Sequence, residues 1–375
     1  MKHCVTKVLL AGSIAFGAAA AAAAETPITL PPVVSWSAYG AGSSGHAQGV
    51  AIGAALKNAT GSDLRLLPGR NDVARMVLLR DRRVQFSAAG IAAFYGQEGT
   101  FVFENESWGP QPVRLLIFSN PAHNQGLATT QESGIEAVSE IRGRRVAAVV
   151  GSAAINNGVE AILAFGGLTW DDVERVDLPS YPASWEALQN GQVDVAWGAT
   201  TLGAAYQLAN SRRGIRWLPV DHDDDAGWER LNAVAPHIYR NIATEGADIS
   251  ADNPHEGTNY PYPILITMAD QDEDLVYNMT RAMIELFPDY ADAAPGINGW
   301  ALDRQNTEWI LPFHEGAIRA LEEHGAWSEA AQAHNDALVA RQDALLEAWD
   351  GLMAEGLSGD ALHEAWAEAR AAIGF

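Results

Sequence analysis

The stretch "YGAGSSGHAQG", Tyr39–Gly49, contains four glycines, two serines and one histidine. It follows the apolar run "PPVVSW" and precedes "VAIGAALKNATG", which is typical of an amphipathic helix. A loop of small residues therefore joins a strand to the helix that follows it. Such a loop exposes backbone N–H groups at a helix N-terminus, where a compact anion such as a carboxylate is favoured.

The same alternation of strand and helix continues along the chain. The run "LRLLPG" indicates a second strand, and the next segment, "NDVARMVLLRDRR", indicates a helix capped by Asn71 or Asp72. A second series of strands and helices starts at the strand predicted for Val146–Val150. Strands that alternate with helices predict parallel pairing and an α/β layer fold.

Two such series predict two lobes. Residues 221–262 are interpreted as irregular, because "DHDDDAGW" and "ADNPHEGTNYPYP" are rich in turn-forming residues. A strand in 263–270 is then expected to return to the first lobe. The sequence thus predicts a discontinuous lobe 1 (25–120 and 263–330), an inserted lobe 2 (121–262), a hinge of two crossings, and C-terminal helices (331–375). Those helices are expected to wrap on lobe 1, or alternatively to serve oligomerisation.

The N-terminus has the pattern of a secretory signal peptide. Lys2 and Lys7 precede an apolar run that ends in Ala22-Ala23-Ala24, which predicts cleavage after residue 24. The alternative is a membrane anchor, for which this Ala- and Gly-rich run is short. Cys4 is the only cysteine of the chain. The mature protein is therefore expected to contain no disulfide and no Cys-ligated metal.

The chain is strongly acidic, with a formal net charge of −23 over 375 residues. Removing Lys2 and Lys7 from the 24 basic residues leaves 22 against 47 acidic ones, a net charge of −25. This balance disfavours nucleic acid and anionic membranes as partners. An anionic ligand would be repelled at long range, so it would need a strong local positive site.

Arg70 is the best charged anchor for such a ligand. It lies between a predicted strand end and a helix start, and a guanidinium binds a carboxylate through two hydrogen bonds. The alternative is a surface arginine paired with Asp72. In α/β sheets ligands bind beyond the carboxyl ends of the strands, so the small polar segments after each strand complete the predicted site.

Catalytic, cofactor and metal sites are not indicated. Gly40-x-Gly42-x-x-Gly45 fits a dinucleotide fingerprint, but Arg70 takes the place where the confirming acid should follow the second strand. The run "DHDDD" starts like a Ca²⁺ loop, yet its sixth and twelfth positions are Ala226 and Asn232. We therefore expect no cofactor and no metal, and no enzyme activity.

Five segments resemble, in order, the TAXI-type solute-binding proteins of TRAP transporters. His46 stands where that family commonly has glycine, and Glu315 replaces a proline. The segments are Gly40–His46, "LLPGRNDVARMVLLRDRRVQFSAAGIAAFYGQEG", "SEIRGRRVAAVVGSAAINNGVEAILAFGGLTWDDV", "ALQNGQVDVAWGATTLGAAYQLA" and "ILPFHEGAIRALEEHG". The resemblance covers roughly residues 30–327.

This resemblance implies a two-lobed periplasmic-binding-protein type II fold with a hinge, here with a C-terminal helical extension. It further implies a monomeric periplasmic receptor that closes around a small organic anion and delivers it to a membrane permease. The anion would be glutamate-like, a dicarboxylate or an aromatic acid. The predicted ligand-binding residues are Tyr39, Gly42, Ser43, Ser44, Gly45, His46, Arg70, Asn71, Ala89, Ser152, Asn156, Asn157, Trp197, Gly198, Thr200 and Thr201.

The predicted residues have different expected roles in that fold. The small loop residues let the backbone approach the ligand, and Arg70 supplies charge. Ser43, Ser44, Asn156, Asn157, Thr200 and Thr201 would form hydrogen bonds. Tyr39 and Trp197 would form apolar walls, although ordinary core packing is the alternative for Trp197. The alternative functions are a periplasmic enzyme that acts on a small organic acid, and an ABC- or sensor-coupled binding protein of the same fold.

Overall fold

A computed structural model describes Met1, residues 27–69 and residues 71–374. Apart from Met1, the predicted signal peptide lies outside the described residues, and so does Arg70. The two-lobed α/β fold with a C-terminal helical extension is confirmed, while the residue at which each lobe begins and ends stays a prediction. In the description below, lobe 1 and lobe 2 are named after the two five-stranded sheets on which they are built.

Lobe 1 begins with alternating strands and helices. The helix after the first strand starts within the quoted loop, because the Ser43 side chain accepts a hydrogen bond from the His46 amide and caps it. The elements are β1 (Val33–Ala38), α1 (Ser44–Thr60), β2 (Asp63–Pro68), α2 (Asp72–Arg80), β3 (Phe86–Ala89), α3 (Ala92–Glu98) and β4 (Val113–Phe118).

Lobe 2 repeats this organisation around a second sheet. Its elements are β5 (Gln125–Thr129), β6 (Arg145–Val149), α4 (Ala153–Phe165), β7 (Glu174–Leu178), α5 (Tyr181–Gln189), β8 (Val195–Ala199), α6 (Gly203–Ala209), β9 (Arg216–Trp217), α7 (Asp225–Val234), β10 (Tyr239–Ala243) and β11 (His255–Asn259). The strand order is β7-β6-β8-β5-β9, and β10 and β11 form a separate antiparallel pair.

The chain then returns to lobe 1 and ends in helices. Its last elements are β12 (Ile264–Met268), α8 (Glu273–Glu285), α9 (Phe287–Tyr290), α10 (Glu315–Glu323), α11 (Glu329–Ala354) and α12 (Gly359–Ile373). Strand β12 lies antiparallel between β3 and β4, so the first sheet has the order β2-β1-β3-β12-β4. The first lobe is thus assembled from both sides of the inserted second lobe.

Two crossings connect the lobes, at 119–124 and 260–263. They run side by side, since the Ser119 amide donates to the Pro263 carbonyl at 2.8 Å and the Tyr262 amide donates to the Ser119 carbonyl at 2.7 Å. A paired crossing of this kind fixes one edge of the interface while leaving the rest free to open about it.

The prediction that 221–262 is irregular was wrong in part. Asp224, within the acidic run, caps α7 by accepting a hydrogen bond from the Gly227 amide at 2.8 Å. Strands β10 and β11 pair over five residues of each, with Tyr239 opposite Asn259. The acidic run that suggested a loop therefore contains the N-cap of a helix. Asp residues favour turns as well as helix caps, so the sequence alone did not indicate α7.

The C-terminal helices pack against lobe 1. The Trp349 and Trp366 rings meet edge to face at 5.0 Å, and the Trp366 indole N–H donates to the Gly99 carbonyl at 2.8 Å. Gly109 (φ +68°) lies directly beneath Trp349. Within residues 27–69 and 71–374, no helix combines the length and apolar character needed to cross a membrane.

Candidate functional site

The lobes touch through a buried hydrogen bond between α3 and α4. The Tyr95 hydroxyl, in lobe 1, donates to Asn157 Oδ1, in lobe 2, at 2.7 Å. Both side chains are buried, and Asn157 also approaches the Val234 carbonyl at the end of α7. The lobes are therefore in contact, and the residues around this bond form the candidate site.

A buried ion pair lies at the same interface. Asp72, the first residue of α2, bonds to Arg75 one turn later on the same helix, and each is 3% exposed. The Arg75 guanidinium lies over the Tyr39 ring, 3.7 Å from its centroid. The cation is thus held between a carboxylate and an aromatic face, which neutralises the charge of both ionic groups inside the interface.

The two oxygens of the Asp72 carboxyl have different surroundings. Oδ1 accepts from Arg75, whereas Oδ2 is buried and has no hydrogen-bond partner among the described residues. The Ala154 amide, at the start of α4 in lobe 2, acts to lower the pKa of the Asp72 carboxyl without completing a hydrogen bond to Oδ2. Burial outweighs this effect and that of Arg75, and raises the pKa. A buried carboxylate oxygen in this state calls for a donor.

Tyrosine side chains surround the pair from both lobes. The Tyr39 and Tyr262 rings meet edge to face at 5.1 Å. Burial raises the pKa of Tyr39 to about 12 and holds the other tyrosines of the group higher still, so their hydroxyls are neutral donors and acceptors. The group consists of Tyr39, Tyr95, Tyr181, Tyr260 and Tyr262.

His237 adds an imidazole to this aromatic group. Its ring lies 6.1 Å from the Tyr95 ring and 5.4 Å from the Tyr260 ring. The side chain is 4% exposed, and its Nδ1 has no hydrogen-bond partner within the described part of the chain. Among the described residues of this interface, Asp72 Oδ2 and His237 Nδ1 are therefore buried polar atoms without a hydrogen-bond partner.

The burial of His237 should make stability depend on pH. Burial lowers its pKa from 6.5 to about 3, so the unfolded chain binds a proton that the folded chain does not. The stability that neutral His237 contributes is complete above the unfolded pKa and is lost as pH falls toward the folded value. His237→Gln should flatten the decline of unfolding free energy by about 1.4 kcal/mol per pH unit below about pH 6.

Urea unfolding at several pH values measures that slope. The exposed His363, whose side chain is 68% accessible, provides a matched control in the variant His363→Gln. An unaltered slope in His237→Gln would show that this imidazole is not held neutral by the fold.

The predicted glycine-serine loop reaches the site through its backbone. A Cβ on Gly45 would lie 2.8 Å from the Tyr262 hydroxyl, so a larger residue would require the Tyr262 side chain to shift. Gly42 has φ +92°, a conformation that favours glycine. His46 turns back on the loop, with Nδ1 3.1 Å from the Tyr39 carbonyl. The loop is thus shaped by its small residues and leads directly to Tyr39.

Residues 40–325 match the NMT1-like family, and this span covers more than half of the chain. The chain belongs to the NMT1-like family.

Solved structures with a similar arrangement include periplasmic binding proteins. A protein of Bordetella bronchiseptica RB50 aligns with TM-score 0.47 and 14% identity over 82% of this chain and 98% of its own. The periplasmic aliphatic sulphonate binding protein SsuA of Escherichia coli aligns with TM-score 0.45 and 15% identity, over 82% and 78%. The alkanesulfonate-binding protein SsuA of Xanthomonas axonopodis pv. citri, bound to MOPS, aligns with TM-score 0.44 and 15% identity. The alignment covers 90% of this chain and 98% of that protein.

Several residues predicted from the sequence of this NMT1-like protein lie at or beside the interface. Asn157 contacts Tyr95, and Ala89 is buried at the end of β3, next to Gly90, on which a Cβ would lie 2.4 Å from the Tyr39 hydroxyl. Asn71 caps α2, the helix that carries Asp72. Ser44 is buried in the first turn of α1, and Ser152 precedes α4, whose cap position it occupies without a side-chain bond.

Other predicted residues are engaged within lobe 2. The Asn156 side chain bonds to the amide and carbonyl of Val149, at 2.8 and 2.9 Å. Thr200 is fully buried and donates to the Glu245 carbonyl, and Thr201 contacts His123. Their hydroxyl and amide groups are used to hold loops, so their role toward a ligand stays a prediction.

Trp197 and Gly198 are placed by core packing. Trp197 is 3% exposed and its ring lies against Gly158, where a Cβ would come within 2.8 Å. A Cβ on Gly198 would lie 2.4 Å from the Trp185 ring. Trp197 is therefore packed in the core, and its role as a wall toward a ligand stays a prediction.

Sequence reasoning missed most of the polar groups at this interface. The sequence offers Asp72 as a helix cap or a partner of Arg70 and does not single out Arg75, although the i, i+3 spacing of Asp72 and Arg75 could have indicated a pair. Tyr260 and Tyr262 lie in the segment "NYPYP", which was read as loop. Among the described residues no cluster of His, Cys, Asp and Glu able to hold a metal ion is found.

Proposed function

We propose that this protein is a periplasmic solute-binding receptor of the TAXI type, which captures a small organic anion between its lobes and delivers it to a TRAP transporter permease. The observation that carries the proposal is the interface itself. Buried polar groups from both lobes, among them Asp72 Oδ2, lie beside the paired crossings, one of which carries Tyr260 and Tyr262. A receptor needs a hinge of this kind, because a ligand that bridges both lobes stabilises the closed form.

Asp72 narrows the class of anion. A ligand carboxylate placed against Asp72 would meet a like charge, which raises the cost of ionising either group. A ligand that directs an ammonium N–H toward Oδ2 would satisfy the oxygen through a charge-assisted bond. This favours the glutamate-like ligand over the plain dicarboxylate, with the ligand carboxylate directed to the Tyr39–His46 loop and Arg70.

Matched pairs of probes test this assignment. The protein is unfolded and refolded to remove any solute carried through purification, and then titrated with L-glutamate and with glutarate, which lacks the amine. L-Phenylalanine and 3-phenylpropionate form the matched aromatic pair. Specific binding of an amino acid should raise the melting temperature by mass action. Equal binding of both members of a pair would reject the amine argument, and no response to any carboxylate would reject the anion receptor.

The alternative functions predict other results. An enzyme would consume a bound acid, so product formation during prolonged incubation would replace the receptor proposal. An ABC- or sensor-coupled receptor would bind the same solute but would not supply it to a TRAP permease. Solute uptake by vesicles that contain the candidate permease, with and without this protein, separates these partners.

Replacing Arg70 with alanine should weaken ligand affinity by roughly 10- to 100-fold, the effect of losing a hydrogen-bonded charge pair. The melting temperature without ligand should stay nearly the same. Arg65→Ala serves as the control, because Arg65 is an exposed arginine on β2, five positions earlier. Calorimetric titration with the best probe measures the change, and an affinity equal to that of the control would remove Arg70 from the site.

A further inference from the structure

Helix α3 connects the lobe interface to the C-terminal extension. All seven of its residues, Ala92–Glu98, are buried, an unusual state for so short a helix that ends in Gln97 and Glu98. Tyr95, which bonds to Asn157 across the interface, precedes Glu98 by less than one turn. A displacement of the C-terminal end of this helix therefore also displaces Tyr95.

The extension, α11 and α12, binds that end of α3 through Glu98. The Glu98 side chain is fully buried, and its two oxygens accept from Arg341 at 2.6 Å and from Arg370 at 3.1 Å. One arginine comes from each helix of the extension. A buried carboxylate with both oxygens bonded to arginine is costly to separate from either partner.

Neighbouring groups bond to the extension as well. Gln342 donates to Gln97 Oε1 at 3.3 Å, and Trp366 donates to the Gly99 carbonyl at 2.8 Å. Three consecutive residues at the end of α3 are thus held by side chains of α11 and α12. The contacts are directional, so they fix the helix end as well as cover it.

Tyr95 is closely surrounded on the other side. Its ring lies 4.6 Å from Phe101 and 6.1 Å from His237, which belongs to lobe 2. A small displacement of α3 would move the hydroxyl away from Asn157, since a hydrogen bond weakens steeply as its geometry departs from ideal.

We propose that the C-terminal extension sets the balance between open and closed lobes, and that Glu98 is the positioning residue through which it holds Tyr95 against Asn157. The inference rests on the proposed function only in taking lobe closure as the working motion. Glu98 does not touch the interface itself; it acts through α3. The extension would therefore be part of the binding device and not merely a covering of lobe 1.

An interlobe distance measures this balance without knowledge of the ligand. Residues 27–374 contain no cysteine, so two introduced cysteines are labelled selectively. Ala59→Cys on α1 and Glu186→Cys on α5 place spin labels at exposed positions of the two lobes. Pulsed electron resonance then gives the populations of short and long distances in the chain that begins at Glu25.

Two variants and their combination provide the test. Tyr95→Phe should raise the ratio of open to closed populations about fivefold, the effect of losing one buried hydrogen bond. Glu98→Gln keeps the shape but removes the charge, and should raise the ratio about two- to fivefold. The double variant should open no further than Tyr95→Phe alone, because both changes act on one contact.

His363→Gln is the matched control for a loss of stability. His363 also joins the extension to lobe 1, by a contact of 2.8 Å with Glu104, but not through α3. Its loss should lower the melting temperature slightly and leave the distance populations as they are. A change in populations that follows the melting temperature across all variants would therefore overturn the proposal.

Other outcomes are equally decisive. The inference is overturned if Glu98→Gln leaves the populations unchanged, if its effect adds to that of Tyr95→Phe, or if the unsubstituted chain is already fully open. The unsubstituted chain is titrated in parallel with the same four carboxylates, L-glutamate, glutarate, L-phenylalanine and 3-phenylpropionate. If the unsubstituted chain binds a carboxylate but Glu98→Gln does not change the distance populations, only the inference is overturned. If Glu98→Gln changes the populations but the unsubstituted chain binds no carboxylate, the proposed function is overturned and the inference stands.

Discussion

Replacing Asp72 with alanine should lower the free energy of unfolding by about 3–5 kcal/mol, because it leaves a buried arginine without its carboxylate. Arg75 is 3% exposed and cannot lose its proton, so its charge stays in the interface. The Tyr39 ring continues to face the guanidinium, but an aromatic face supplies much less than an ion pair. Urea unfolding, with the slope checked against the unsubstituted protein, measures the loss.

A second variant separates the unpaired charge from a packing defect. Asp72→Ala combined with Arg75→Met removes both charges and keeps most of the volume of the arginine stem. Buried ion pairs are often replaced by apolar residues at little cost, so the double variant should recover most of the lost stability. If the double variant is as unstable as Asp72→Ala alone, the loss of stability does not come from the unpaired charge of Arg75.

Trp366→Ala should cost about 3–5 kcal/mol, the usual range for deleting a large aromatic from a core. Trp366 is fully buried, packs edge to face on Trp349 and donates to the Gly99 carbonyl. Its loss should also detach the extension in part, because Trp366, Trp349, Leu345 and Leu362 form a separate small core. Hydrogen exchange should then rise in α11 and α12 before it rises elsewhere.

Trp366→Phe is the companion variant, since it removes the indole N–H and keeps an aromatic ring. It should cost about 1 kcal/mol, the value of the hydrogen bond. Equal losses in both variants would place the whole effect in the bond to Gly99. Exchange that rises uniformly over the chain would show that the extension does not unfold separately from lobe 1.

The sequence predicted the parts of the fold that depend on local pattern. Alternation of strand and helix, the loop at Tyr39–Gly49 and the return of a strand after residue 262 could be read directly, because periodicity and turn residues are local signals. Helix α7 was missed because its cap lies inside a run of acids, whose charge suggested a loop.

The candidate site was harder to predict from the sequence than the fold, for a physical reason. Its central contacts join residues far apart in sequence, such as Tyr95 with Asn157 and Tyr95 with His237. No periodicity reports a pairing of this kind. Asn157 lies in the segment that follows a predicted strand, which indicates a ligand position. Tyr95 and His237 do not lie in a segment of this kind. Arg75 was overlooked because an arginine within a helix is usually solvated.

The attachment of α11 and α12 to lobe 1 bears on the design of an optical biosensor. A fluorescent protein fused beyond α12 would follow lobe 1, since that is where the extension is anchored. A second fluorophore on the same lobe would report nothing about the solute. It belongs instead in an exposed turn of lobe 2, such as residues 210–212 between α6 and β9, where energy transfer would follow the opening angle.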